Sequence, residues 1–167
     1  MVRSALSLAD LAERHRPELL AYLVRFLGDE HDAQDVCQET FLRAHRAFAR
    51  LRPDSNSRAW LYRIATRSAL NTLRRRSRIV ARRVDIDLDG LPARVTASGE
   101  QRIQLAAVTT AVGGLPPRQR AALMLRQFHG LAYAEIAATL GGNEAGARAN
   151  VYQAIKKLRA ALGGLTP

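Results

Sequence analysis

The chain has 167 residues, with 26 Lys and Arg against 15 Asp and Glu, a formal net charge of +11 at pH 7 and 47% apolar residues. That apolar content excludes disorder along the whole length, and the excess positive charge points to a polyanionic partner, either nucleic acid or an anionic membrane surface. A single cysteine, Cys37, and four scattered histidines, His15, His31, His45 and His129, exclude a disulfide framework and a multi-cysteine zinc module.

A first helix is expected from the N-cap candidate Ser7 to Leu27-Gly28, because Leu8, Leu11, Leu19, Leu23 and Phe26 recur at helical spacing. Ala33, Val36, Cys37, Thr40, Phe41, Ala44, Phe48 and Leu51 form a second stripe, ended by Pro53, with Asp32 placed to cap its start. A third helix runs from about Ser57 to Arg76 or beyond. Residues 81–99 hold three bases and three acids, include Gly90, Pro92 and Gly99, and lack a helical apolar period, so they read as a linker. The alternation Val84-Asp85-Ile86-Asp87-Leu88-Asp89 would also suit a short strand. Ile103, Ala106, Ala107, Val108 and Ala111 begin a fourth helix, and Pro116-Pro117 sets a break with proline at the first position of a fifth, which reaches about Phe128. Tyr133, Ile136, Ala137 and Leu140 form a short helix ended by Gly141-Gly142. Asn143 can cap a last helix, in which Ala147, Val151, Ala154, Ile155, Leu158 and Leu162 share one face. The fold class is therefore all-α: two small helical domains, residues 1–80 and 100–167, joined by the flexible linker 81–99.

Between Ser55 and Val84 stand nine Arg and no acid. Leu61, Ile64, Ala65, Ser68 and Thr72 share the face that docks on a core. Arg63, Arg67, Asn71, Arg74 and Arg78 occupy a neighbouring arc of roughly 80°, with Trp60 projecting into it. Guanidinium groups suit phosphates, an asparagine amide suits an adenine edge, and an indole can stack on a base. Trp60 has a second reading as a core residue, the commoner place for tryptophan. Unopposed like charges along a helix destabilise it unless a polyanion meets them, which favours nucleic acid for the Arg stripe.

Upstream the balance inverts. Asp29, Glu30, Asp32, Asp35 and Glu39 fall within residues 28–40 without one Lys or Arg. Acids favour a helix start, but Asp35, Gln38 and Glu39 continue past the first turn, which suits a basic protein partner or a plain solvated surface. In the second domain, two helices joined by a tight glycine turn form a helix-turn-helix pattern. No acid follows Gly146. Arg148, Ala149, Tyr152 and Gln153 are placed to read base edges, and Lys156, Lys157 and Arg159 to meet phosphates. An ordinary helical hairpin in a bundle is the competing reading.

The segment Asp32-Ala-Gln-Asp35-Val-Cys-Gln-Glu39-Thr-Phe41-Leu-Arg43-Ala-His-Arg46-Ala, followed by Ala59-Trp60-Leu-Tyr62-Arg63-Ile-Ala65, resembles sigma region two. Leu115-Pro116-Pro117-Arg118-Gln119-Arg120, then Gly130-Leu-Ala-Tyr133-Ala-Glu135-Ile136-Ala137, resembles sigma region four. Together they resemble the two domains of extracytoplasmic-function sigma factors of bacterial RNA polymerase, over about residues 8–80 and 100–162. The resemblance implies a cytoplasmic, non-enzymatic promoter-specificity subunit without cofactor, catalytic residue, metal or membrane insertion. Its partners would be core RNA polymerase, promoter DNA and, by family habit, an anti-sigma factor. It also implies roles. The exposed side of the helix bearing Asp35, Gln38, Glu39, Arg43 and Arg46 would hold the largest polymerase subunit. The loop Arg52–Ala59 and the helix bearing Arg58, Trp60, Arg63, Arg67, Asn71, Arg74 and Arg78 would capture the opened minus-ten element. The helix bearing Arg148, Ala149, Tyr152, Gln153, Lys156 and Lys157 would sit in the major groove of the minus-thirty-five element. Asp85, Asp87 and Asp89 would lie near the RNA path. Gly146 stands where the family commonly has Thr, and glycine weakens a helix by up to about 1 kcal/mol relative to Ala. The alternatives are a free-standing helix-turn-helix regulator and a nucleic-acid enzyme; the latter lacks clustered carboxylates or a His–nucleophile pair.

Overall fold

The computed structural model describes residues 7–82 and 99–163, and regular structure among them is helical, with no strand. The alternating segment 84–89, with Asp85, Asp87 and Asp89, lies outside the described residues. Helix α1 (Leu8–Leu27) starts at a reciprocal cap: Asp10 N–H donates to Ser7 Oγ at 3.1 Å and Ser7 N–H donates to Asp10 Oδ2 at 3.2 Å. It ends at Gly28, whose φ of 71° lies in the left-handed region that glycine adopts without strain. Helix α2 (Glu30–Ala47) is capped by Asp29, not Asp32: the Asp32 N–H donates to Asp29 Oδ1 at 2.8 Å. Asp29 directly precedes the first helical residue, so its carboxylate reaches the free amides one turn inside. Asp32 does other work, binding Arg76.

Helix α3 (Ser57–Arg82) continues past Arg76 for a total of 26 residues. Beyond residues 83–98 follow α4 (Glu100–Gly113), α5 (Pro117–Gln127), α6 (Tyr133–Leu140) and α7 (Glu144–Leu162). Asn143 caps α7, accepting the Gly146 N–H at 2.8 Å. A Cβ at Gly146 would come 3.3 Å from that cap oxygen. Some of the helix propensity lost to glycine is thus regained as an undistorted cap.

Helices α1, α2 and α3 pack mutually, and α7 packs on α4, α5 and α6. The two groups are not separate bodies in this structure. Leu19, Tyr22, Leu23, Phe26, Leu61 and Tyr62 belong to one buried apolar cluster with Met124, Leu125, Leu131 and Ile136, because α6 and α5 lie against α3. Helix α3 is therefore covered from two sides. Tyr62, Thr66 and Ala69 are buried along with the expected Leu61, Ala65, Ser68 and Thr72, while Ile64 is half-buried. The Tyr22 ring lies 5.9 Å from Phe26 and 5.2 Å from Tyr62, and its hydroxyl is 2.8 Å from Thr66 Oγ1. Cys37 is buried beneath α2, and burial pushes its thiol up. The expected core stripe of α4 differs: Ile103 and Val108 are exposed, since only one side of this helix meets α7.

Candidate nucleic-acid interface

The arginines of α3 divide by partner. Arg76 is structural: it donates to Leu27 O at 3.2 Å, closing the end of α1, and binds Asp32 at the start of α2. Asn71, Arg74 and Arg78 are exposed. With Arg75, Arg43, Glu39 and Ser68 they line a groove of about 340 Å³ between α2 and α3. Asn71 and Arg74 also face a second groove of about 330 Å³, shared with Arg67, Arg118 and the end of α6. Ser68 is 2% exposed and its Oγ has no hydrogen-bond partner among the described residues. Arg75 and Arg118 are basic residues that spacing along α3 alone does not single out for this site.

Arg58 and Arg67 reach across to the second group of helices. Arg67 donates through Nε to Thr139 O at 3.1 Å and through Nη2 to Ala138 O at 2.7 Å. Arg58 donates through Nη1 to His129 O at 2.7 Å and binds the Glu18 carboxylate. Arg63 is half-buried, with Nε unpartnered among the described residues. Trp60 is neither a core residue nor a free platform: it is half-buried against the core, with its ring 6.4 Å from Phe48. Asn56 closes this edge. Its side-chain oxygen caps α3 by accepting Ala59 N–H at 3.1 Å, while its amide donates to Glu135 Oε1 at 2.9 Å. A polar residue just before a helix start is a readable cap signal, but nothing in the sequence indicates the Glu135 contact.

His129 sits at the centre of this junction. Its ring is 5.1 Å from that of Tyr22 and 4.4 Å from that of Tyr62, and its Nδ1 is 3.2 Å from Glu18 Oε1. Desolvation pulls His129 below its ordinary value of 6.5, with Glu18 opposing and Arg58 and Arg25 assisting. Burial raises Glu18, but hydrogen bonds led by Arg58 outweigh it and hold the carboxyl at about 2. The groups facing His129 are thus Glu18, Tyr22 and Arg25 from α1 and Arg58 and Tyr62 from α3, with His15 3.6 Å from Glu18. A histidine with a depressed folded value stabilises the fold fully above its unfolded value, and that contribution is lost as pH falls toward the folded one. We expect the urea midpoint to drop as pH falls through about 6.5, and His129→Gln to flatten that drop. Glu18, already ionised there, titrates far below this window.

On α7, Tyr152, Gln153, Lys156 and Lys157 are exposed with Ala149. Arg148 is also exposed, but its guanidinium lies 4.4 Å from the centre of the Tyr133 ring, and that of Arg126 lies 4.6 Å from the same centre. Stacking of this kind fixes the guanidinium plane near the start of the helix. On α2, Asp35, Gln38, Arg43 and Arg46 are exposed, and Glu39 accepts from Arg43 at 2.6 Å. Leu42, 54% exposed, stands among them at helical spacing. It supplies an apolar centre to a face otherwise read only by its charges.

Residues 11–79 match the family described as Sigma-70 region 2, and residues 105–158 the one described as Sigma-70, region 4. The chain is 34% identical to the RNA polymerase sigma-H factor of Pseudomonas aeruginosa, over 91% of this chain and 84% of that protein. It is 35% identical to the ECF RNA polymerase sigma factor SigE of Mycolicibacterium smegmatis over 90% of this chain, spanning 59% of that relative's length. The solved sigma factor RpoE of Bartonella quintana, in complex with the anti-sigma factor NepR, has the same fold, with a TM-score of 0.78 at 22% identity over 93% of this chain and 96% of that one. The chain belongs to the sigma-70 family of RNA polymerase sigma factors, in the extracytoplasmic-function group. No helix among the described residues is long and apolar enough to cross a membrane.

Proposed function

We propose that this chain is a dissociable, non-enzymatic promoter-specificity subunit of the cytoplasm that binds core RNA polymerase and promoter DNA, and that an anti-sigma factor restrains it. Residues 1–80 grip the polymerase and the opened minus-ten element, and residues 100–167 grip the minus-thirty-five duplex. The observation that carries this reading is the pairing of two arginine- and lysine-lined surfaces, on α3 and α7, with a mixed-charge α2 face that DNA would not favour. Asn71, Arg74 and Arg78, open to a groove, are the residues assigned to the displaced strand. Arg67, bonded to the end of α6, joins them when that contact is released, and Arg58, Trp60 and Arg63 complete the same surface. Tyr152, Gln153 and Ala149 lie over bases, Arg148 beside them, and Lys156 and Lys157 on phosphates.

The energetics favour a subunit over a self-sufficient opener. Base-pair steps stack by about 1.4 kcal/mol on average, so a bubble of many steps exceeds what one basic helix can offset. Run-off transcription with core polymerase on random-promoter DNA, with and without the chain, tests the reading. Start sites that depend on the chain are expected; their absence overturns it. Lys156→Ala should weaken duplex binding across all sequences and reduce the salt slope by about one unit. A changed sequence preference at constant slope would instead place Lys156 on a base.

A further inference from the structure

The groove between α2 and α3 holds a hydroxyl that the fold does not use. Among the described residues, five serine and threonine side chains are buried. Four have partners: Thr40 donates to Val36 O at 2.7 Å, Thr72 to Ser68 O at 3.2 Å and Thr139 to Glu135 O at 2.8 Å, while Thr66 Oγ1 meets the Tyr22 hydroxyl. Ser68 is the fifth, and its Oγ bonds to nothing among the described residues. An unpaired buried hydroxyl is costly. This one lines a groove of about 340 Å³, so the partner that satisfies it comes from solution. Arg74, Arg75 and Arg78 line the same groove from α3, without an ion-pair partner among the described residues. Arg43 approaches from α2, where its Nε and Nη2 both donate to Oε1 of Glu39, at 3.0 and 2.6 Å.

We infer that this groove is a site for the phosphate chain of a nucleoside di- or triphosphate, with Arg74, Arg75 and Arg78 on the phosphoryl oxygens and Ser68 donating to one of them. Its volume falls within the span of about 300–1,000 Å³ typical of small-molecule sites. Three uncompensated cations so close on one helix repel one another, and a bound polyanion relieves that repulsion. A lone phosphate monoester carries about −1.5 to −2 at pH 7, short of three guanidinium groups; two or three linked phosphoryl groups match them better. Guanidinium suits such a ligand because it bonds phosphate through two parallel N–H groups. Glu39 selects a nucleotide over a bare polyphosphate. Its Oε2 has no donor among the described residues, so it repels a wholly anionic ligand but accepts from a ribose hydroxyl or a base amine. Asn71, Arg74 and Arg78 also hold the displaced strand in the function proposed above, so nucleotide and strand exclude each other. That exclusion rests on the proposed function; the binding itself does not.

Isothermal titration calorimetry on the full chain, with ATP, GTP, tripolyphosphate and inorganic phosphate, tests the site. The nucleotides should bind most tightly and inorganic phosphate most weakly; tripolyphosphate binding more tightly than both nucleotides overturns the assignment. Ser68→Ala and Arg75→Gln should each weaken nucleotide binding about tenfold, the worth of one hydrogen bond to a charged group. Arg14→Gln removes the same charge from the exposed side of α1 and should change affinity by no more than about twofold. Equal losses in Arg14→Gln and Arg75→Gln would mean attraction by net charge alone and overturn the site. Deleting an unpaired buried hydroxyl should raise the urea midpoint of Ser68→Ala while lowering its affinity, a combination that damage to the fold does not produce. Unchanged affinity in that variant overturns the inference. ATP should also displace a fluorescent single strand of random sequence; a nucleotide that binds without displacing it overturns the shared site. Run-off transcription separates the two levels. Chain-dependent transcripts without nucleotide binding sink only the site, whereas nucleotide binding without such transcripts sinks the proposed function and leaves the site standing.

Discussion

Replacing Asp35 and Glu39 together with lysine should abolish the binding of this chain to core RNA polymerase and spare its binding to minus-thirty-five duplex. Both residues lie on the outward side of α2, Asp35 exposed and Glu39 joined to Arg43 within its own helix. Loss of that intrahelical pair, and the Lys–Arg repulsion that replaces it, each cost the fold about 0.5 kcal/mol. A charge turned against its partner at an interface costs about 2–5 kcal/mol, so two reversals should weaken association by well over about a hundredfold. Duplex affinity should change by no more than about twofold, as for exposed substitutions away from a site. Co-elution with core polymerase and duplex anisotropy measured on one preparation check this. Equal loss of both would show that the two acids support the fold instead.

Phe26→Ala should remove about 3–5 kcal/mol of stability, a large part of the 5–15 kcal/mol available to a typical domain. The ring is fully buried, lies 5.9 Å from Tyr22, and has the Arg120 guanidinium 5.6 Å from its centre. Arg120 also donates to Phe26 O at 2.7 Å, a backbone contact that the substitution leaves in place. Arg120 is itself desolvated, which lowers its tendency to stay charged, so a cavity beside it admits water to a group that favours it. Because Phe26 belongs to the cluster shared by both groups of helices, urea unfolding followed by Trp60 fluorescence and by far-ultraviolet dichroism should shift together. A shift in one probe alone would mean that the shared cluster does not couple the halves.

Local signals carried most of the fold. Ser7, Gly28, Pro117, Gly141 and Asn143 mark helix ends through backbone chemistry that acts within a few residues, and the helices follow them. The cap of α2 fell to Asp29 because two acids three apart offer similar local chemistry, and only the entry of the chain from Gly28 selects between them. Tyr62, Thr66 and Ala69 were not legible as buried, since periodicity reports which residues share a face and not how many neighbours cover the helix. Arg58 and Arg67 fell to the same limit. Their spacing says that they lie together; it does not say that backbone carbonyls of the His129 turn and of the end of α6, 71 and 72 residues away, receive them. The exposed groups of α7 and α2 were easier to foresee, because each helix shows a single apolar stripe and its opposite face follows.

Cys37 is the one thiol in the chain, and it lies sealed and protonated beneath α2. Since only thiolate reacts readily, an alkylating reagent should modify it at the rate at which α2 lifts from its neighbours. The protein thus carries a native clock for local opening: the labelling rate in the presence and absence of polymerase would read how firmly the engaged subunit is clamped, without a probe being introduced.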